Sequence, residues 1–377
     1  MSSRKRKFEL NSIWNRTKIE NLFNKSNVKS LNIDKLYKYL VKNIKQKSWE
    51  KIKDFPKEGM KILNENFEFT TSKVLGAQKA EDGTTKLLVE LQDGSQIEEV
   101  IMFYDTRNNE KGTGKQRATL CVSCQIGCQM ACTFCATGTM GLKGSLTEGE
   151  IIEQMVHALD YADISNIVFM GMGEPLNNYN NVKAAIKMLT DSRFFALQNS
   201  HITLSTVGVI PRIMTFANDF PKCNLALSLH APNQELRLKL IPTAKAYKLD
   251  KLINTIKQYQ DKTKNSIFIE YLLIHKVNDT EKEANELGEL LKDIKCTVNL
   301  IPWNSIESPN IDYKSPLHED IVKFKEILKD YNIPSTLRQS KGNDIAGACG
   351  QLVVDQSKKG NNKKIKIVDI EDLIKKQ

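Results

Sequence analysis

Residues Cys121 to Cys135 read CVSCQIGCQMACTFC, which gathers five of the chain's eight cysteines into one short run. A triplet spaced x3 then x2 can be taken forwards as Cys128, Cys132 and Cys135, or in mirror order as Cys128, Cys124 and Cys121. In a reducing compartment such thiols bind metal or carry redox chemistry more often than they staple a fold. Two metal chemistries fit. Four of the five could complete a structural zinc tetrahedron, although zinc ligands usually come as two pairs joined by a longer loop. Three thiolates on a four-iron cluster instead leave one iron open to a substrate. Cys223 and Cys296 open apolar runs and read as small buried hydrophobes. Cys349 lies in Gly347-Ala-Cys-Gly350, small residues that let a loop enter a narrow mouth, and on residue type alone it reads as a buried structural cysteine.

Positioning such groups takes a scaffold. Short apolar, β-branched runs occur at 117–122, 166–172, 201–207, 224–229, 266–274 and 296–301, with helical segments between them. The clearest helix begins at Thr147, with Glu150 three residues on as a capping box and Ile151, Ile152, Met155, Val156 and Leu159 as its apolar stripe. Strands alternating with helices predict an α/β fold, a parallel array long enough for a partial (βα)6 barrel. In such folds the loops at the carboxyl ends of the strands carry the chemistry. The polar signatures fall there: GMGEP (171–175), STVG (205–208), SLHA (228–231) and PWN (302–304). Gly173 and Glu174, Ser205, Ser228, Leu229, His230 and Asn304 are the candidate ligand contacts, with a core histidine as the plain alternative for His230.

The formal net charge is +10, and its excess lies at the two ends. Residues 1–58 hold 16 basic against 6 acidic residues and 358–377 hold 7 against 3, whereas the stretch between holds 32 against 36. Lysine-rich appendages on a near-neutral body suggest contacts to a phosphate backbone or, as favoured for the tail, a solvated surface. Residues 11–65 read as helical, with Leu36, Tyr37, Leu40 and Val41 on one face. Residues 66–104 alternate apolar and polar around a turn at Asp93-Gly94, a hairpin signal. The expected organisation is a basic helical domain (1–65), a hairpin extension and polar loop (66–116), the barrel (117–355) and a basic tail (356–377). No stretch approaches eighteen apolar residues, so no membrane span is expected. MSSRKRKFEL leads into no apolar h-region and carries Glu9, so a cytoplasmic protein is expected, with an organelle left open.

The segments RATLCVSCQIGC, CTFCATGTMG, VFMGMGEPLNN, LSTVGVIP, ALSLHAPN, NLIPWN and DIAGACGQL, in that order, resemble the RlmN/Cfr family of RNA adenine methyltransferases within the radical S-adenosylmethionine superfamily. The likeness covers about residues 85–355; the helical domain matches only in kind and the tail falls outside. The resemblance implies that Cys128, Cys132 and Cys135 ligate a 4Fe-4S cluster whose open iron chelates S-adenosylmethionine. It further implies two molecules of S-adenosylmethionine per turnover. The first methylates Cys349. The second yields a 5′-deoxyadenosyl radical that takes hydrogen from the S-methyl group, and the methylene carbon adds to adenine. A base, Glu98 of the IEEV stretch, removes the ring proton. Cys121 then attacks Cys349 and releases the methylated RNA by forming a disulfide.

The implied substrate is large-subunit ribosomal RNA, extended in some members to transfer RNA, with a monomeric enzyme and a flavodoxin or ferredoxin system as electron donor. Adenine C2 is the favoured target. Methylation at C8, as in the Cfr branch, and a zinc-stabilised RNA-binding module without catalysis are the alternatives. Glu99, beside Glu98, is expected on the other face of the strand as an exposed carboxylate. Cys124 stands where the family usually has serine, and no role is expected for it.

Overall fold

The computed structural model describes residues 6, 8–105, 116–306 and 312–353. The polar loop expected at 106–116 lies outside these residues except for Gln116, and the basic tail at 356–377 lies wholly outside. Among the described residues no helix is long and apolar enough to cross a membrane.

One ten-stranded sheet organises the molecule, and its strands lie side by side in chain order. Three antiparallel strands come first: β1 (Lys73–Lys79), β2 (Thr85–Glu90) and β3 (Gln96–Asp105). They continue into parallel strands β4 (Gln116–Cys121), β5 (Ile164–Phe169), β6 (Ile202–Thr206), β7 (Asn224–Ser228), β8 (Ile267–Leu273), β9 (Cys296–Pro302) and β10 (Ser335–Leu337). Each parallel neighbour is reached by a crossover, as the alternating pattern requires. All six expected barrel strands are present. β5 stops earlier than the apolar run 166–172 suggests, because Gly171 passes so close to the Val122 carbonyl that a Cβ there would lie 2.7 Å from it. β10 went unpredicted because it is a three-residue edge strand, and Leu337 is partly exposed. The expected hairpin turn at Asp93-Gly94 joins β2 to β3, but β1 precedes it, and β3 pairs with β4 so that the extension and the barrel share one sheet.

Helices α1 (Arg16–Lys25), α2 (Leu31–Lys42) and α3 (Lys57–Asn66) lie in the lysine-rich N-terminal segment. Leu36, Tyr37 and Leu40 of α2 are buried as expected, with Val41 half-buried. Their core is not separate from the barrel's. Trp14 packs edge-on to Phe69 at 5.5 Å and against Phe195 at 5.7 Å, and Tyr37 meets Phe194 at 5.3 Å. Helix α4 (Glu148–Ala158) has the expected capping box, Thr147 and Glu150 bonding each other's backbone amides. Every residue of α4 is buried, however, because the N-terminal segment covers the face that the stripe left polar. Thr17 Oγ1 donates to Glu148 at 2.8 Å, and the amides of Thr71 and Ser72 donate to Glu153 at 2.8 and 2.9 Å.

Candidate active site

One cavity opens at the carboxyl ends of the parallel strands. It is lined by Cys121, Cys128, Cys132, Cys135, Gly173, Glu174, Ser205, Ser228, His230, Asn304 and Cys349. Residues up to 228 positions apart in the chain therefore face one space. Leu229 and Glu98 are the two candidates that do not line it.

Cys128, Cys132 and Cys135 sit on the loop after β4. The Cys128 amide donates to the Gly141 carbonyl at 3.1 Å, and Ala131 turns the chain with φ +52°. Thr133 N–H bonds the Leu240 carbonyl at 3.0 Å, and Trp303 Nε1 donates to the Phe134 carbonyl at 3.2 Å. All three thiols are free and partly accessible. A tetrahedral zinc with 2.3 Å bonds would hold its sulfurs about 3.8 Å apart. Among the described residues, the only three-donor set within 4.8 Å of one another is His275, Asp279 and Asp320, so the three sulfurs form a wider triangle. That spacing suits a cluster whose irons each take one thiolate, and does not suit a single ion. Burial pushes the Cys128 thiol up to about 12, so metal charge is what would hold it as thiolate.

Cys121 and Cys349 both line this cavity. Register pairs Cys121 with Val100 of β3, so its thiol shares the face of Val100, Met102 and Tyr104, which line the cavity. The Cys349 loop is tied to the cluster loop: Ala136 N–H donates to the Gly350 carbonyl at 2.8 Å, and Thr137 Oγ1 to the Leu352 carbonyl at 2.5 Å. Asn304, expected to contact a cofactor, spends its amide on the Cys349 carbonyl at 3.2 Å. Cys349 is accessible to the cavity, yet the protein around it pushes its thiol up to about 11. Burial, and then the Cys349 charge, push Cys121 up to about 12. Arg338 opposes both shifts, with its guanidinium fixed 3.2 Å from Glu270. Neither Arg338 nor Glu270 was flagged by the sequence, for an isolated arginine carries no spacing signal.

The strand ends supply the polar wall. Gly173 has φ +102°, and a Cβ there would meet the Gln125 Cβ at 2.5 Å, so only glycine fits. Glu174 accepts from Val207 N–H at 2.9 Å and Leu176 N–H at 3.0 Å, while burial lifts its carboxyl to about 7. An ammonium group entering the cavity would meet this acceptor. The hydroxyls of Ser205 and Ser228 lie 3.1 Å apart. His230 lines the cavity, and its ring accepts from the Leu272 amide through Nδ1 at 3.0 Å, while burial holds its pKa down to about 3, so the ring is neutral. The Leu229 amide donates to the Glu270 carbonyl at 3.1 Å. Beneath them the buried Arg237, also unflagged, donates to the carbonyls of Val207, Ser228 and Leu229.

Three acidic or thiol groups differ from expectation or stand apart. Glu98 pairs with Lys86 Nζ at 3.0 Å and accepts from Val353 N–H at 2.9 Å, so it fastens the Cys349 loop to the sheet. Burial raises its pKa and Lys86 opposes the rise. Glu99 is fully buried and not exposed, and neither carboxylate oxygen has a hydrogen-bond partner. It points into the layer between sheet and helices, which is why burial holds it well above the ordinary carboxylate range. Cys124 is 2% exposed, lies outside the cavity lining, and directs its thiol at the Met172 carbonyl at 3.6 Å.

A chain-ordered βα sheet with three accessible thiols in the loop after its first parallel strand defines the radical S-adenosylmethionine class. Accordingly, residues 122–287 match the Radical SAM superfamily. A "Probable dual-specificity RNA methyltransferase RlmN" of Staphylococcus haemolyticus is 39% identical over 351 residues, covering 88% of this chain and 93% of that protein. Its counterpart in Bacillus licheniformis is 43% identical over 310 residues, covering 81% and 82%. The crystal structure of a radical SAM methyltransferase from Sphaerobacter thermophilus superposes with a TM-score of 0.80 at 34% identity, covering 90% of this chain and 98% of that one. The chain belongs to the RlmN family of radical SAM RNA methyltransferases. Its cofactors are those of the superfamily, a 4Fe-4S cluster and S-adenosylmethionine.

Proposed function

We propose that this enzyme methylates C2 of adenosine in large-subunit ribosomal RNA and in transfer RNA, using Cys349 as carrier of the methyl group. One observation carries the reading: Cys121 and Cys349 line the cavity that Cys128, Cys132 and Cys135 also line. Adenine C2 is an electron-poor amidine carbon that does not attack a sulfonium methyl, so a carbon-centred radical must come to it. Bound at Cys128, Cys132 and Cys135, the cluster supplies the single electron that cleaves S-adenosylmethionine, drawn from a flavodoxin or ferredoxin type of donor.

The chain's own residues do the rest. Glu174 receives the amino group of the methionine moiety, and Ser205 and Ser228 present hydroxyls beside it. Cys349 as thiolate takes the methyl group of a first S-adenosylmethionine, which leaves as S-adenosylhomocysteine; Arg338 favours that thiolate by its charge. After its S-methyl group loses a hydrogen atom to the 5′-deoxyadenosyl fragment of a second S-adenosylmethionine, which leaves as 5′-deoxyadenosine, the S-bound carbon bonds to C2, joining RNA to Cys349. Glu98 receives the C2 proton, which requires it to leave Lys86 and the Val353 amide, so the 346–353 loop shifts during turnover. Cys121 as thiolate then attacks the Cys349 sulfur; the bond from that sulfur to the one-carbon bridge breaks, the released carbon takes a proton to become the methyl group, the surplus electron returns to the donor system, and the new disulfide frees the RNA.

The test is product analysis. RNA from cells with and without the protein, digested to nucleosides, should differ in 2-methyladenosine by mass spectrometry. An 8-methyladenosine product alone would overturn the C2 assignment.

A further inference from the structure

Outside the cavity, the loop after β8 carries His275 and Asp279, and the first turn of helix α5 (His318–Asp330) carries Asp320. His275 Nδ1 lies 3.6 Å from Asp279 Oδ2 and 3.7 Å from Asp320 Oδ2. All three donor atoms fall within 4.8 Å of one another. Asp279 is only 5% exposed, and its Oδ2 has no hydrogen-bond partner; His275 Nδ1 is likewise buried and unpartnered. Native structures rarely leave such atoms unsatisfied. The separations are too long for hydrogen bonds. They are close to the spacing of about 3.4 Å that ligands at about 2.1 Å adopt around a tetrahedral ion.

The surroundings hold the donors in place. Asp279 Oδ1 accepts from the Lys276 amide at 2.7 Å, which fixes the carboxylate and leaves Oδ2 aimed at the imidazole. The loop is braced by Asn278, whose Nδ2 donates to the carbonyls of His230 and Leu272 and whose Oδ1 accepts from the Ile274 amide. The His275 amide donates to the Lys314 carbonyl at 2.9 Å.

We propose that His275 Nδ1, Asp279 Oδ2 and Asp320 Oδ2 bind a divalent transition-metal cation, zinc being the best match for one imidazole and two carboxylates, with the fourth position left to water. The ion clamps the loop after β8 to helix α5. The clamp bears on the frame of the active site, since Tyr313, beside Lys314, meets Thr133 Oγ1 at 2.9 Å between Cys132 and Phe134. The site is independent of the cluster thiols, and its test keeps the two apart.

Holoprotein reconstituted anaerobically, so that its cluster thiols are occupied, is dialysed against zinc chloride and assayed for zinc and iron. The expected result is about one zinc per chain in addition to the iron. Asp279→Asn and Asp320→Asn should each weaken zinc binding at least about tenfold with the iron content unchanged. Asp320 is the outer ligand, 37% exposed, so its variant serves as the second probe should Asp279→Asn fold poorly. No zinc retained by the wild-type holoprotein would overturn the proposal. So would Asp320→Asn binding zinc as the wild type does.

Discussion

At Arg338 a single charge faces two thiols, the buried Cys121 and the cavity-facing Cys349, whose pKa values the surrounding protein raises. Its field lowers the pKa of both Cys121 and Cys349, the latter still held at about 11. Arg338→Met should therefore slow methyl transfer about tenfold and move its pH–rate profile to higher pH, whereas Arg338→Lys should recover part of the loss. A profile unchanged in position would show that Arg338 acts by packing alone. Cys124 lies in the apolar core against a backbone carbonyl, so Cys124→Ser should leave turnover within about twofold of wild type, the hydroxyl inheriting the contact to Met172. A marked fall with full iron content would assign that thiol a chemical role. That the thiols of Cys128, Cys132 and Cys135 and the strand-end signatures face one cavity was legible because their spacing and their place after apolar runs are one-dimensional. Arg338, Glu270 and Arg237 were not, since only the fold brings them to the cavity.

Among the elements, α4 shows why a stripe can mislead. Its apolar positions were read correctly, but its polar face is buried as well, because α1 and the segment at 71–72 close over it. Ser72 Oγ bonds both Glu153 and His157 Nε2 there. Burial lifts Glu153 from 4.5 to about 7, so the folded chain keeps a proton that the unfolded chain loses, and this stability is lost as pH rises from about 4.5 to about 7. Burial lowers His157 from 6.5 to about 4, and its contribution is lost in the opposite direction, as pH falls from about 6.5 to about 4. The two slopes offset each other. His157→Gln should leave Glu153 uncompensated, so that Tm falls more steeply than in wild type between pH 4.5 and 7. Glu153→Gln should reverse that difference. Parallel Tm curves for wild type and both variants would exclude this coupling.

For the molecule as a whole, composition and periodicity distinguish a basic helical segment from a barrel. The structure instead joins them through one hydrophobic core running from Trp14 and Tyr37 into Phe194 and Phe195. Long-range packing of this kind leaves no periodic trace in either segment. Trp14→Ala should cost about 3–5 kcal/mol, and it should lower a single thermal transition shared by both parts. Two separate transitions in the wild type would mean that the helices unfold independently. The central claim is that Cys121 and Cys349 divide the labour of methyl transfer over one cavity, which a trapped intermediate tests most directly. Cys121→Ala enzyme, with its cluster intact, is incubated with S-adenosylmethionine, reductant and RNA, then digested for peptide mass spectrometry. RNA joined through one carbon to the peptide carrying Cys349, and absent in Cys121→Ala/Cys349→Ala, is the predicted result; free 2-methyladenosine released at the wild-type rate with no adduct would contradict it.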